Sequence, residues 1–296
     1  MTRLKRFLVP LDGSPLAECA LPVARELARR TKGSLVLLRS PEYVEAQLPS
    51  AVEFSMYLPQ GRDLTDYYHN VREETEHYLA GVAKRVGADV AVETLVEEGE
   101  RAGAIVDAAA DENIDLIVMT THGRTGLSRW VMGSVAERVL HEAPCPVLIL
   151  RSGHACAGDS QKAASALRSI LIPLDGSPLA EEVLPMGLAL AEALDGAVTL
   201  LRVQPPDPSD GYLESVTARY GDLDVRLRAE TLIRADTGSS AVAQAILDYA
   251  EQNDVGLIAM STHGRSGLQR WVYGSVTQKL VGHSNRAMLV VRPTTG

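Results

Sequence analysis

Thr120-Thr121-His122-Gly123-Arg124-Thr125-Gly126-Leu127-Ser128-Arg129-Trp130-Val131-Met132-Gly133-Ser134 is the stretch from which this chain is read. An apolar run, Ile114 to Met119, leads into it, and a helical pattern starting at Val135 leaves it. The order is strand, glycine-bearing loop, then a Gly-Ser pair at a helix mouth. Ser134 followed three residues later by Glu137 predicts a capping box that sets a helix N-terminus there. Such a terminus offers unpaired N–H groups and a partial positive charge, which makes it a seat for an anion. Gly123 leaves a spot without a Cβ, where a ligand can approach the backbone closely. The loop has no lysine, so a phosphate there would be held mainly by main-chain N–H groups, with Arg124 as a helper.

The stretch occurs again. Ser261 to Ser275 reads Ser-Thr-His-Gly-Arg-Ser-Gly-Leu-Gln-Arg-Trp-Val-Tyr-Gly-Ser, with Gly264, Gly274 and Ser275 at the same spacing. Gln278 stands where Glu137 stood, the other allowed form of the capping box. Two copies of one loop predict a duplicated domain.

Bulk properties agree. A length of 296 residues suggests two domains, and 46% hydrophobic residues supply a core for each. A net charge of -9 argues against sequence-independent nucleic-acid binding, which needs a basic face. It leaves room for a nucleotide, because a local cluster of N–H donors outweighs the global field. Cys19, Cys145 and Cys156 are too few and too scattered for a disulfide framework, which fits a reducing, cytoplasmic setting. Met1 to Arg6 is polar and does not read as a signal peptide, and no apolar run approaches the ~20 residues a bilayer span needs.

From the start, Arg6 to Leu11 is a strand ending in Pro10-Leu11-Asp12-Gly13-Ser14-Pro15. Ser14 before Pro15 signals an N-cap and first helical position, and apolar residues then recur at helical spacing from Leu16 through Arg30. Gly33 stops that helix and Ser34 to Arg39 is a strand. Pro41 to Arg62 is irregular, yet apolar and aromatic enough to lie near a site mouth or an inter-domain contact. Leu64 to Val86 reads as a long helix, Asp89 to Val96 as a strand, and Glu100 to Glu112 as a helix. Val135 to Glu142 and Pro146 to Leu150 close the unit as helix and strand. This alternation predicts an α/β fold, a parallel five-stranded sheet with helices on both faces.

Arg151 to Ser165 is rich in Gly, Ala and Ser and reads as a linker, after which the cycle restarts. Pro173 to Glu181 repeats Pro10 to Glu18 residue for residue. Strands follow at Ala197 to Val203, Arg226 to Ile233, Val255 to Met260 and Ala287 to Arg292. The second copy has a shorter connection between its second and third strands, reduced to a helix near Tyr212 to Tyr220. It has extra residues near Asp236 to Ser239. The expected domains are 1–151 and 166–296, joined by 152–165.

In a doubly wound sheet the ligand lies beyond the strand carboxyl ends, where strand order reverses. Asp12-Gly13 and Thr120 to Gly123 both follow strand ends, so Asp12 and Gly123 would flank one crevice closed by Gly133-Ser134. There Asp12 would accept from a sugar hydroxyl or help hold a divalent metal.

These residues resemble the universal stress protein family, of the nucleotide-binding type, as two domains in tandem. That family's Gly-x2-Gly-x9-Gly-(Ser/Thr) signature stands here as Thr120-x2-Gly123-x9-Gly133-Ser134 and Ser261-x2-Gly264-x9-Gly274-Ser275. Its aspartate after the first strand is matched by Asp12 and Asp175. The first glycine is replaced by Thr120 and Ser261, whose hydroxyls crowd a ribose or bond to it. The resemblance covers nearly everything outside the linker and Pro41 to Arg62.

The resemblance implies sheets of order 3-2-1-4-5 and ATP bound between strands 1 and 4, beside Pro10 and Pro173; ADP and AMP are not separated from it. It places adenine against Ser40 and Val203, and phosphates against the second glycine, the Gly-Ser mouth and Val135 or Val276. Mg or Mn would accompany the phosphates, with Asp12 and Asp175 as the residues to help. The family pairs through fifth strands, which implies an internal pseudo-dimer of the halves or a homodimer; no membrane and no nucleic acid are implied as partners.

Plainer roles compete. The Gly-Ser pairs would also serve as ordinary turns and caps, and Asp12 and Asp175 as turn caps. His122 and His263 lack a partner carboxylate or nucleophile and read as turn or packing residues rather than bases. Arg124 and Arg265 read as solvated or ion-paired, Trp130 and Trp271 as packing or subunit contacts. No catalytic residue is assigned. There is no Walker motif and no base for water activation. A nucleotide-binding regulatory module of the stress response is therefore expected ahead of a slow ATPase or an interaction scaffold with vestigial sites.

Overall fold

The computed structural model describes residues 4–41, 64–120, 132–151, 159–206, 211–262 and 274–293. Gly123, Gly264, His122, His263, Arg124, Arg265, Trp130, Trp271, Cys156 and all but the first residue of the 41–62 segment lie outside them.

The first half runs β1 (Arg6–Pro10), α1 (Pro15–Glu18), α2 (Leu21–Thr31), β2 (Ser34–Arg39), α3 (Leu64–Val86), β3 (Ala91–Val96), α4 (Arg101–Asp111), β4 (Leu116–Thr120), α5 (Ser134–Glu142) and β5 (Val147–Leu150). A short helix, α6 (Ser160–Ser165), precedes the second half. That half runs β6 (Ser169–Pro173), α7 (Pro178–Glu181), α8 (Leu184–Leu194), β7 (Ala197–Gln204), α9 (Tyr212–Arg219) and β8 (Arg226–Ile233). It closes with α10 (Ser239–Gln252), β9 (Leu257–Ser261), α11 (Ser275–His283) and β10 (Ala287–Val291).

The strands form one sheet in the order β3-β2-β1-β4-β5-β10-β9-β6-β7-β8. Each half has the expected 3-2-1-4-5 order with parallel neighbours. The halves join through their fifth strands, antiparallel, with Leu289 opposite Leu148 and Val290 opposite Val147. The joint removes two apolar strand edges that would otherwise be open to a foreign chain. Each face carries one core running through both halves, as all-apolar strands such as Val147–Leu150 and Ala287–Val291 require.

Three expectations are corrected. The helix read from Leu16 to Arg30 is two helices, α1 and α2, meeting at Cys19-Ala20. Pro22, which has no N–H to donate, sits in the first turn of α2. The linker is not wholly irregular: Asp159 caps α6 by accepting from the N–H groups of Gln161 and Lys162, and Ala163 and Ala164 are buried. Cys19, expected to lie outside any disulfide framework, is disulfide-bonded. Cys145 is a free thiol that burial pushes up to about 12.

Candidate functional site

Both Asp-Gly-Ser turns are built alike. Ser14 Oγ accepts from the Ala17 N–H at 3.1 Å, and Asp12 Oδ1 accepts from the Ser14 N–H at 2.8 Å. In the second half Ser177 Oγ accepts from Ala180 at 3.1 Å and Asp175 Oδ1 from Ser177 at 2.9 Å. Each aspartate thus caps its turn with one carboxylate oxygen. Gly13 and Gly176 have φ of +83 and +90, the left-handed region where a side chain is strained.

A second feature repeats beside these turns. The Arg39 guanidinium lies 4.6 Å from the Tyr78 ring centroid, and Arg202 lies 4.9 Å from that of Tyr212. The Tyr78 hydroxyl donates to Glu18 Oε1 at 2.8 Å, and Arg85 meets the other oxygen of Glu18 at 2.7 Å. Burial, then the bond to Glu18, raises the Tyr78 hydroxyl pKa well above its usual value; burial and Glu181 do the same for Tyr212. Arg219 bonds Glu181 at 2.5 Å. Helix α9, Tyr212 to Arg219, therefore matches the Tyr78 to Arg85 portion of α3. The shortened second half keeps the turns that brace its Asp-Gly loop and drops those before them.

Where strand order reverses, each half has a crevice. The first is lined by Pro10, Asp12, Ser40, Thr120 and Val135, and the second by Pro173, Asp175, Val203, Ser261, Gly274, Ser275 and Val276. The structure brings these expected residues together. Thr120 Oγ1 donates to the Leu16 carbonyl at 3.0 Å, which fixes α1 against the end of β4. Ser261 is buried and its carbonyl accepts from Thr277 Oγ1 at 3.4 Å. Gly133 and Ser134 adjoin Val135 at the start of α5 but are not part of the described lining.

The capping boxes do not form. Gly133 and Gly274 are themselves the N-caps, Ser134 and Ser275 are first helical residues, and among the described residues no side chain caps either helix. Glu137 instead donates its N–H to the Gly133 carbonyl at 3.0 Å as an ordinary helical residue. Among the described residues no side chain accepts from the first N–H groups of α5 and α11, and an open helix N-terminus suits an anion better than a capped one.

Sequence reasoning missed the apolar walls, Leu38, Ile105 and Met119 in one half and Leu201, Ile246 and Met260 in the other. It also missed Arg39 and Arg101 in the first. Aligning the two copies residue by residue would have paired most of them. Among the described residues no group of three or more His, Cys, Asp or Glu side chains is arranged to hold a metal ion, and no helix is long and apolar enough to cross a membrane.

The profile of the universal stress protein family matches residues 3–151 and 166–292. The chain belongs to that family. A universal stress protein of Synechocystis is 22% identical over 98% of this chain and all of its own length. One from Methanocaldococcus jannaschii is 34% identical over half of this chain and 82% of its own, in keeping with a single-domain relative of one half. The crystal structure of a universal stress protein from Archaeoglobus fulgidus covers 97% of this chain and 98% of its own, with a TM-score of 0.74 at 19% identity. That likeness concerns the fold, and it extends over both halves of this universal stress protein.

Proposed function

We propose that this universal stress protein is an adenine-nucleotide-binding regulatory module of the stress response, with ATP as the first ligand to test and ADP and AMP next. The observation that carries the reading is the pair of helix mouths, Gly133-Ser134 and Gly274-Ser275, without a side-chain cap among the described residues and set at crevices on the strand-reversal edge. Adenine goes to the apolar end near Ser40 or Val203, ribose beside Asp12 or Asp175, and phosphates to the N–H groups of α5 or α11. The second signature glycines, Gly123 and Gly264, belong to the same proposal.

One oxygen of Asp12 and one of Asp175 are taken up by turn hydrogen bonds. A Mg or Mn ion would meet these residues only as a companion of the phosphates, which would supply most of its oxygen ligands. Cytoplasmic location is proposed on the sparse cysteines, the bonded Cys19 weighs against a reducing compartment, and thiol labelling in intact cells decides between them. A homodimer is the further assembly to look for.

The test is to denature the purified protein, identify released nucleotide, and follow ATP hydrolysis over hours. Bound or added ATP held without turnover supports the module. Steady ADP production would make it a slow ATPase, and no nucleotide at all would leave an interaction scaffold.

A further inference from the structure

The two crevices have unlike walls. Laying β4 over β9 puts Leu116 on Leu257 and Ile105 on Ile246, and Arg101 then falls on Val242. Laying β1 and β2 over β6 and β7 puts Ser40 on Val203. Helix α10 begins three residues before Val242, so it carries an added turn, and Thr237 and Ser239 of that region join the second wall. In the first half Ser40 Oγ donates to the Gly99 carbonyl at 3.0 Å, which ties the end of β2 to the chain just before Arg101.

Arg101 and Ser40 therefore share the crevice end next to β2 and β3. The α5 mouth lies on the other side, beyond β4. The arginine stands at the base end of the proposed site and the helix N-terminus at the phosphate end. Where the second crevice offers Val203 and Val242 to the face of a purine, the first offers a guanidinium and a hydroxyl already in use. A planar apolar ring gains by displacing water from the former and must cover a charged side chain in the latter. Cavity volumes follow the same order, about 90 Å³ in the first half and about 340 Å³ in the second.

We infer that the chain holds one adenine nucleotide, in the second crevice, and that Arg101 bars the base from the first. This rests on the nucleotide-binding reading and adds to it which half binds and which residues decide. Val242 and Val203 are specificity-determining residues in that account, and Arg101 with Ser40 is their opposite.

The experiment is a calorimetric ATP titration of the whole chain, with three proteins compared. Wild type should take about one nucleotide per chain. Val242→Arg should weaken it on the order of tenfold or more, a change of about 1.4 kcal/mol per factor of ten. Arg101→Val with Ser40→Val should raise the stoichiometry to about two. Two nucleotides on the wild type, or undiminished affinity in Val242→Arg, would overturn the inference and leave the nucleotide-binding reading standing. Weaker uptake in Arg101→Val/Ser40→Val would also overturn it, by making Arg101 a ligand. No uptake by any of the three would overturn both. The wild-type stoichiometry needs no substitution, so the inference is exposed to refutation even if a variant misfolds.

Discussion

Arg292 of the second half donates from Nη1 to the main-chain carbonyl of Glu142 in the first, at 3.1 Å, across the seam of the sheet. The same nitrogen lies 3.4 Å from the Ala143 carbonyl, so a cation closes the C-terminus of α5. The seam is reciprocal. Arg151, just past β5 and 2% exposed, donates from Nη2 to the Val281 carbonyl in the last turn of α11 at 2.6 Å. Burial lowers its pKa to about 10. Each half thus holds, by its C-terminal end, the helix whose other end is the other half's proposed phosphate seat.

Arg151→Ala is expected to lower stability by about 3 kcal/mol, from a buried charged hydrogen bond lost together with packing. Arg292→Ala, at a more open position, should cost about 1 kcal/mol. Urea unfolding followed by tryptophan fluorescence and by circular dichroism measures both. The shared cores predict a single coincident transition in wild type. Two separated transitions, or an unchanged midpoint in Arg151→Ala, would mean that the seam is not holding the halves.

The carboxylate of Glu26 is 1% exposed on α2 and takes hydrogen bonds from Arg29 at 2.7 and 2.8 Å and from Arg30 at 2.6 Å. The Arg29 bonds, foremost, hold its pKa down to about 2. A depressed folded-state pKa gives stability that is present above the unfolded value of about 4.3 and is lost as pH falls toward 2. The contribution is roughly 2 kcal/mol. Glu26→Gln should flatten the stability profile between about pH 4.5 and 2, with little slope change above it. A profile of unaltered steepness in that window would contradict the assignment.

Gly256 lies against backbone from the end of α6: a Cβ built there would fall 1.7 Å from the Ala166 carbonyl oxygen. A Cβ at Gly33 or Gly196 would also meet main chain, 2.3 Å from Lys5 O and 2.6 Å from Arg168 O. A main-chain carbonyl cannot swing aside as a side chain can. Gly256→Ala should therefore cost about 3 kcal/mol or more, while Gly282→Ala, with no atom within 4 Å of its built Cβ, should be neutral or stabilising. Thermal melts of the two variants give the comparison; equal melting temperatures would refute the close approach.

How far the sequence carried the reading varies from element to element. The helix at Leu64–Val86 lies where its apolar spacing puts it, and the strand at Arg226–Ile233 where its match to the first copy puts it. The break between α1 and α2 was missed because apolar spacing runs straight through it; Pro22 was the local sign. The capping-box residues point to Ser134 as the N-cap, but the extended backbone at Gly133, φ -66 and ψ 149, puts the cap one residue earlier. The Arg151 and Arg292 contacts were not legible, since they join positions about 130 and 150 residues apart through a pairing no local pattern encodes. Val242 and Arg101 were hidden by the added turn of α10, which shifts loop-based alignment of the copies by most of a helical turn.

The most direct test of nucleotide capture by main-chain amides is ATP binding, by equilibrium titration, to wild type and to Ser134→Glu/Ser275→Glu. Both serines are exposed first residues of their helices, where a carboxylate suits the helix dipole, so the fold should be kept. Wild type should bind ATP and the double variant should not, its own carboxylates standing where the phosphates would sit. Equal uptake by the two proteins would contradict the account.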